Sequence, residues 1–146
     1  LLGGCGNAGG TRIGTDVVAT PTTRPSPWCV PVSRERAIAR VMQGASTPGE
    51  TAVAKLVNGP ELHTLSPAVT VFNGEFDATS LYWAVKVTGP KGTVQIVAPG
   101  AGGTFAWAVY DIDARTGDSG GLAAGPKPKV PAWDALPDHS RACAEP

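Results

Sequence analysis

The sequence predicts a small α+β domain in which one N-terminal helix packs on an antiparallel sheet of four or so strands. Residues 34–43 repeat their apolar side chains at helical spacing, and several later segments cluster or alternate them at strand spacing. No helical segment separates the predicted strands, so they are expected to pair as antiparallel neighbours. One face of such a sheet needs an apolar cover, and the helix is the segment available for it.

Ser33 and Gly44 bound the predicted helix. The Ser33 hydroxyl suits the N-cap, where it accepts a hydrogen bond from a first-turn N–H, and Gly44 suits the left-handed position after the last turn. The arginines of this segment lie largely off its apolar face, and we expect them to be solvated. The apolar face, which would meet the sheet, comprises Ala37, Ile38, Val41 and Met42.

Strands are expected where β-branched and aromatic residues cluster, at residues 51–57, 69–72, 81–87, 94–97 and 105–112. Residues 61–65 are expected to continue the first of them. Along residues 81–87 the alternation places Trp83, Val85 and Val87 on one face, which we assign to the core.

The last predicted strand, residues 105–112, breaks its alternation between Val109 and Ile112, and a bulge near Tyr110 would restore it. After the turn that follows, Ser119-Gly-Gly-Leu-Ala-Ala124 is rich in glycine and is expected to be only a reduced strand.

The turn itself, Asp113-Ala-Arg-Thr-Gly117, has a defined local chemistry. The Asp113 carboxylate can accept hydrogen bonds from the backbone N–H groups of Arg115 or Thr116, which closes an Asx-type turn. Gly117 can then supply the positive φ that reverses the chain. Asp113, Thr116 and Gly117 are therefore assigned as the turn motif.

Two stretches together resemble the PepSY-type domains of secreted bacterial proteins. They are Tyr82-Trp-Ala-Val-Lys-Val87 and Ala108-Val-Tyr-Asp-Ile-Asp-Ala-Arg-Thr-Gly117. In that family an N-terminal helix precedes a strand of the aromatic-x-Val-x-Val kind, and a later strand ends in Asp-Ala-x-Thr-Gly. The resemblance covers residues 33–122. It implies a binding or regulatory role without catalysis, because family members accompany proteases as propeptides or inhibitory modules, or stand alone in envelope proteins.

A second motif overlaps the turn, since Gly117-Asp118-Ser119-Gly120-Gly121 spells the nucleophile motif of trypsin-like serine proteases. Ser119 would be the nucleophile and His63 the base. However, His63 lacks the family's Ala-Ala-His-Cys context, and the chain is too short for two β-barrels. We therefore interpret the motif as a turn and predict no catalytic residue. A serine hydrolase using Ser119 and His63 remains the alternative.

The N-terminal segment predicts export and lipid attachment. Leu2-Gly3-Gly4-Cys5 resembles a bacterial lipobox, in which the cysteine thiol is diacylated. We expect residues 1–4 to be the remnant of a signal peptide, residues 5–27 a flexible tether, residues 28–125 the PepSY-like domain and residues 126–146 a Pro-rich tail. The predicted location is the outer face of the bacterial cytoplasmic membrane or the cell envelope.

The cysteines and the charge balance limit the remaining possibilities. With lipid on Cys5, Cys29 and Cys143 are left, and an oxidising compartment would join them and lay the tail and Trp133 against the domain. The formal net charge is zero, which argues against a nucleic-acid partner. We expect no metal and no cofactor. Asp111, Asp113 and Asp118 suggest a calcium loop, but Thr116 and Leu122 stand where the EF-hand pattern needs Gly and Glu.

The sequence thus predicts a non-enzymatic, lipid-anchored envelope domain that binds a protein or peptide, with modulation of a secreted protease as one form of that role. Two alternatives stay open, the serine hydrolase and a structural envelope module without a ligand.

Overall fold

The computed structural model describes residues 26–44, 48–65, 79–96, 102–127, 130 and 132–143. The predicted lipidation site Cys5, almost all of the predicted tether and the strand predicted at residues 69–72 lie outside these residues.

The described residues form two antiparallel sheets and one main helix. The main sheet has the strand order β1 (Thr51–Asn58), β2 (Leu81–Thr88), β5 (Trp107–Asp113) and β6 (Ser119–Gly125). A separate two-stranded sheet pairs β3 (Val94–Ile96) with β4 (Gly103–Phe105). The predicted α+β class is confirmed, although these sheets contain more strands than the four or so expected. The helices are α1 (Arg34–Met42), α2 (Gly59–His63) and a 3₁₀ helix (His139–Ala142).

Helix α1 begins as the sequence predicts and ends differently. The Ser33 hydroxyl accepts a hydrogen bond from the Arg36 N–H at 3.1 Å, as expected for an N-cap. The prediction for Gly44 was wrong, because its φ lies outside the left-handed region. The helix ends instead with Gln43 in the right-handed conformation, its N–H bonded to the Ala39 carbonyl at 3.0 Å, and with the Gly44 N–H bonded to the Val41 carbonyl at 3.1 Å.

The main sheet is buried on both faces. On the face that packs against α1, here called the helix side, lie the predicted core residues Trp83, Val85 and Val87, and the Trp83 indole N–H donates to the Val32 carbonyl at 2.8 Å. The opposite face, the tail side, was not predicted to be core. It packs against the C-terminal segment and contains Val57, Tyr82, Ala84, Trp107 and Val109 together with Trp133 and Leu136.

Burial on both faces explains the apparent break in β5. Trp107 and Val109 face the tail side, whereas Ala108 and Ile112 face the helix side, so alternation along β5 is regular. The register shift lies in the pairing with β6, where Asp111 pairs with Gly121 and Ile112 pairs with Ser119. The extra residue is therefore Gly120 in β6, not a residue near Tyr110.

Two segments differ from the prediction because of local signals and long-range pairing. Residues 59–63 form α2 rather than a strand, since Asn58 and Glu61 make a capping box and Pro60 occupies the first turn. Residues 119–125 form a complete strand, β6, because the backbone of β5 supplies a hydrogen-bonding partner along its length. Small side chains do not prevent a strand when a neighbouring strand is already in place.

The C-terminal segment lies back on the domain, as the sequence predicts. Cys29 and Cys143 form a disulfide with a Cα–Cα distance of 4.8 Å. Trp133 is 5% exposed, and the Lys55 ammonium donates to the carbonyls of Trp133 and Leu136 at 2.7 and 2.8 Å. These contacts attach the tail at several points besides the disulfide.

The 3₁₀ helix and the residue before it attach the tail to the edge of β1. The Asp138 carboxylate accepts from the Leu56 backbone N–H at 3.1 Å and pairs with the Arg34 guanidinium at 2.9 Å. Burial opposes ionisation of Asp138, but hydrogen bonds from Ser140 and Leu56 and the charge of Arg34 outweigh it, so the pKa of Asp138 lies below its ordinary value. Next to it His139 stacks on Trp28, with ring centroids 3.8 Å apart.

Candidate functional site

The turn between β5 and β6 is held by its own hydrogen bonds. The Asp113 carboxylate accepts from the backbone N–H groups of Arg115 and Thr116 at 2.8 and 3.0 Å, the two bonds that the sequence predicts. The Gly117 N–H donates to the Asp113 carbonyl at 2.8 Å, and Gly117 has the predicted positive φ of 84°. The Asp118 N–H donates to the Thr116 hydroxyl at 3.2 Å. The turn is consequently a defined surface feature rather than a loose loop.

An open groove, here called the helix groove, separates this turn from α1. Its volume is about 410 Å³. Arg36 and Arg40 stand on its helix wall, Asp118 on its turn wall, and Val32 and Ile112 supply apolar surface between them. The other lining residues are Ala39, Gln43, Thr116 and Gly117.

A second groove, here called the disulfide groove, lies on the other flank of the turn. Its volume is about 390 Å³, and Cys29 of the disulfide forms part of its wall. Proline and aliphatic side chains give it a largely apolar lining, with Asp113 and Arg115 as the charged members. The apolar residues are Pro27, Val30, Pro31, Leu81 and Ala114.

The three arginines of α1 are in different electrostatic situations. Arg34 is paired with Asp138, and its guanidinium lies 5.5 Å from the centroid of the Trp83 ring. Within the described part of the chain, Arg36 and Arg40 have no ion-pair partner, and both side chains are exposed. The positive charge of the helix groove is thus available to a ligand, whereas that of Arg34 is used inside the protein.

Asp111 is the one buried charged side chain among the described residues, with 5% of its surface exposed. Its carboxylate packs against the bulge in β6, where a Cβ on Gly120 would come within 2.4 Å of Asp111 Oδ2. Burial, with a smaller contribution from the charge of Asp113, raises the pKa of Asp111 to about 6. Gly120 of the protease-like motif therefore provides space for this carboxylate, a role that the motif itself does not indicate.

The structure places Ser119 and His63 far from each other. Ser119 is exposed at the start of β6 and pairs with Ile112, which faces the helix side, and residues directly opposite each other share a face. His63 ends α2, whose Leu62 packs on the tail side. The sheet lies between them, and the backbones of β1 and β6 are separated by about 14 Å across it. A serine hydrolase instead holds these two side chains in hydrogen-bond contact.

Arg36 and Arg40 were seen in the sequence only as a solvated helix face. Their spacing of four residues already places them on one side of a helix. What the sequence could not reveal is that the turn after β5 lies opposite them, because that proximity depends on how the helix packs on the sheet.

The described residues offer neither a membrane-spanning helix nor a metal site. None of their helices is long and apolar enough to cross a membrane. Nor do these residues contain a group of three or more His, Cys, Asp or Glu side chains arranged to hold a metal ion.

Comparison of the chain with protein-family models, with curated proteins and with solved structures finds no match.

Proposed function

We propose that this protein is a non-enzymatic, lipid-anchored domain of the bacterial cell envelope that binds a segment of another protein. The observation that carries this proposal is the pair of grooves on the two flanks of the rigid turn at residues 113–118. Each groove is open to solvent, lined by both apolar and charged groups, and large enough for side chains of a bound peptide. Such a mixed lining is typical of peptide-recognition surfaces.

The features that surround the grooves suit recognition rather than chemistry. The turn is fixed by the hydrogen bonds that the Asp113 carboxylate accepts, so a ligand would meet a wall that needs no further ordering. The disulfide joins Cys29, in the wall of one groove, to the C-terminal segment. The resemblance to PepSY domains adds secreted proteases as the class of partner that such a module would regulate.

Panning a library of displayed peptides against the full-length, oxidised protein tests the proposal. Peptides that bind should lose affinity by about tenfold or more in Gly117→Ala, because an L-residue at that positive φ strains the wall shared by turn and groove. Gly92→Ala is the matched control, since Gly92 also has a positive φ, of 72°, but lies in another turn with nothing within 4 Å of an added Cβ.

Two results would contradict the proposal. Failure to enrich any peptide would favour the structural module without a ligand. Enriched peptides that bind Gly117→Ala and Gly92→Ala equally well would place the binding surface elsewhere.

The anchor requires its own measurement. We expect a diacylglycerol-type modification on the Cys5 thiol in native host membranes, and mass spectrometry of the mature N-terminal peptide would detect it. Recovery of an unmodified peptide running through Leu1–Gly10 from host material would overturn the lipid-anchor proposal and leave peptide binding untouched.

A further inference from the structure

We infer that the helix groove binds an extended acidic segment of a protein partner, with the carboxylates of alternate residues held by Arg36 and Arg40. This inference rests on the proposed function and specifies the ligand of one of its two grooves. It follows from the charge of the helix groove, from the spacing of its two arginines along α1 and from Asp118 on the opposite wall.

The helix groove carries more positive than negative charge, since two arginines and one aspartate line it. Arg36 and Arg40 both line it and neither has an ion-pair partner within the described residues, although Arg34 on the same helix is paired. Like charges four residues apart repel each other on a helix surface, so this arrangement disfavours the isolated helix. A carboxylate bound at each arginine would reduce that repulsion and form charge-assisted hydrogen bonds with its guanidinium group.

The spacing of the arginines fits an extended peptide. Residues four apart on a helix have Cβ atoms about 6 Å apart. In an extended chain, side chains on the same face recur every second residue, at a distance of about 7 Å. Two acidic residues separated by one other residue would therefore place one carboxylate at each arginine. The intervening side chain points away from them.

The opposite wall argues for a peptide rather than a polyanion. Asp118 lines the groove across from the arginines and would repel a ligand with a dense row of phosphates. A peptide instead has backbone N–H groups that can donate to the Asp118 carboxylate, while its aliphatic side chains contact Val32 and Ile112. The net charge of zero also gives the protein no general attraction for polyanions.

The first measurement uses a fluorescent peptide of about eight residues in which Glu and Val alternate, titrated against the full-length oxidised protein. Arg36→Gln and Arg40→Gln should each weaken binding by about tenfold, and the double variant by more. Lys91→Gln, which removes an exposed cation from the turn between β2 and β3, should leave the affinity unchanged. Two control peptides, one with Gln in place of Glu and one of equal charge with the Glu residues adjacent, should bind more weakly than the alternating peptide.

Salt provides a second readout that does not depend on variants. Raising the salt from about 0.1 M to about 1 M shortens the Debye length from about 10 Å to about 3 Å, so the affinity of the acidic peptide should fall. Circular dichroism of each arginine variant should match that of the wild type, because these guanidinium groups make no ion pair within the described part of the protein.

The same displayed library separates this inference from the proposed function. Enrichment of sequences with alternating acidic residues, lost in the Arg36→Gln/Arg40→Gln double variant, supports the inference. Enrichment of neutral or basic peptides that bind the double variant normally would overturn it while peptide binding stands. Equal binding of the alternating peptide and inorganic polyphosphate would also overturn it, because the groove would then be a general anion site. If no peptide is enriched, both the inference and the proposed function fail.

Discussion

Removing the Cys29–Cys143 disulfide should destabilise the protein without displacing the tail from the folded domain. The two cysteines are 114 residues apart in sequence. In the chain-entropy model, freeing a loop of that length in the unfolded state lowers the free energy of unfolding by about 5 kcal/mol. That amount is comparable with the whole stability of many single domains, which is about 5–15 kcal/mol.

The folded state of a Cys29→Ser/Cys143→Ser variant should nevertheless stay intact. The tail is also held by Lys55, which donates to the Trp133 and Leu136 carbonyls, and by Asp138, which accepts from the Leu56 N–H. These contacts do not depend on the disulfide. We therefore expect a folded variant whose tryptophan fluorescence matches the wild type at low denaturant.

Urea unfolding monitored by tryptophan fluorescence and far-ultraviolet circular dichroism measures the effect. The transition midpoint should fall, and the m-value should rise because the unfolded chain is no longer cross-linked and exposes more surface. Cys5→Ser, which leaves the disulfide intact, is the matched control and should unfold like the wild type. A loss of less than about 1 kcal/mol in the double cysteine variant would refute the entropic argument.

A second substitution tests whether the disulfide acts mainly on the unfolded state. Leu136 is 5% exposed on the tail side, and Leu136→Val should cost about 1 kcal/mol through lost packing. If the disulfide acts on the unfolded chain, that cost should be equal, within about 0.5 kcal/mol, with and without the disulfide. If Leu136→Val lowers the free energy of unfolding much more with the disulfide than without it, the disulfide itself holds the tail in place.

Three further predictions concern Asp111, Gly125 and Ser119. Burial raises the pKa of Asp111 from 3.8 to about 6, so the folded state favours the protonated carboxyl. The free energy of unfolding gains from this group in full below pH 3.8 and loses that gain as the pH rises through about 6. Asp111→Asn should thus match the wild type near pH 4 and exceed its free energy of unfolding by about 3 kcal/mol at pH 8. Equal stability at both pH values would contradict the burial argument. A Cβ on Gly125 would lie 2.4 Å from the buried Trp107 ring, so Gly125→Ala should lower the free energy of unfolding in urea by about 1–3 kcal/mol. Gly103→Ala is the control and should cost less, because the atom nearest to its added Cβ lies at 3.4 Å. A larger loss in Gly103→Ala than in Gly125→Ala would contradict this account. Finally, a fluorophosphonate probe should not label Ser119 above the background seen with Ser119→Ala, and labelling abolished by that substitution would establish the serine hydrolase instead.

Several features were predictable from the sequence because they depend on neighbouring residues. The Ser33 N-cap and the Asp113 turn each need only a side-chain acceptor, one or two nearby N–H groups and, for the turn, a glycine that tolerates positive φ. The pairing of Cys29 with Cys143 was predictable for another reason, since assigning Cys5 to lipid leaves only one pair of cysteines in the chain.

One departure from the predicted strands has a signal in the sequence itself. The Asn58 and Glu61 capping box and Pro60 indicate a helix start, so local hydrogen bonding accounts for α2 at a position where a continuation of β1 is predicted.

The other differences could not be recovered from the sequence, because they depend on residues distant along the chain. Residues 119–125 form β6 only because β5 provides its hydrogen-bonding partners, and Trp107 and Val109 are core only because Trp133 and Leu136 cover them. The helix groove likewise exists only once α1 is packed beside the turn at residues 113–118. By itself the sequence determined the α+β class, the Ser33 N-cap, the turn and the cysteine pair, since these follow from local hydrogen bonding, periodicity and elimination. Only the tertiary structure decided which sheet faces are buried and which charges face a common groove, because burial and proximity are set by the packing of distant segments.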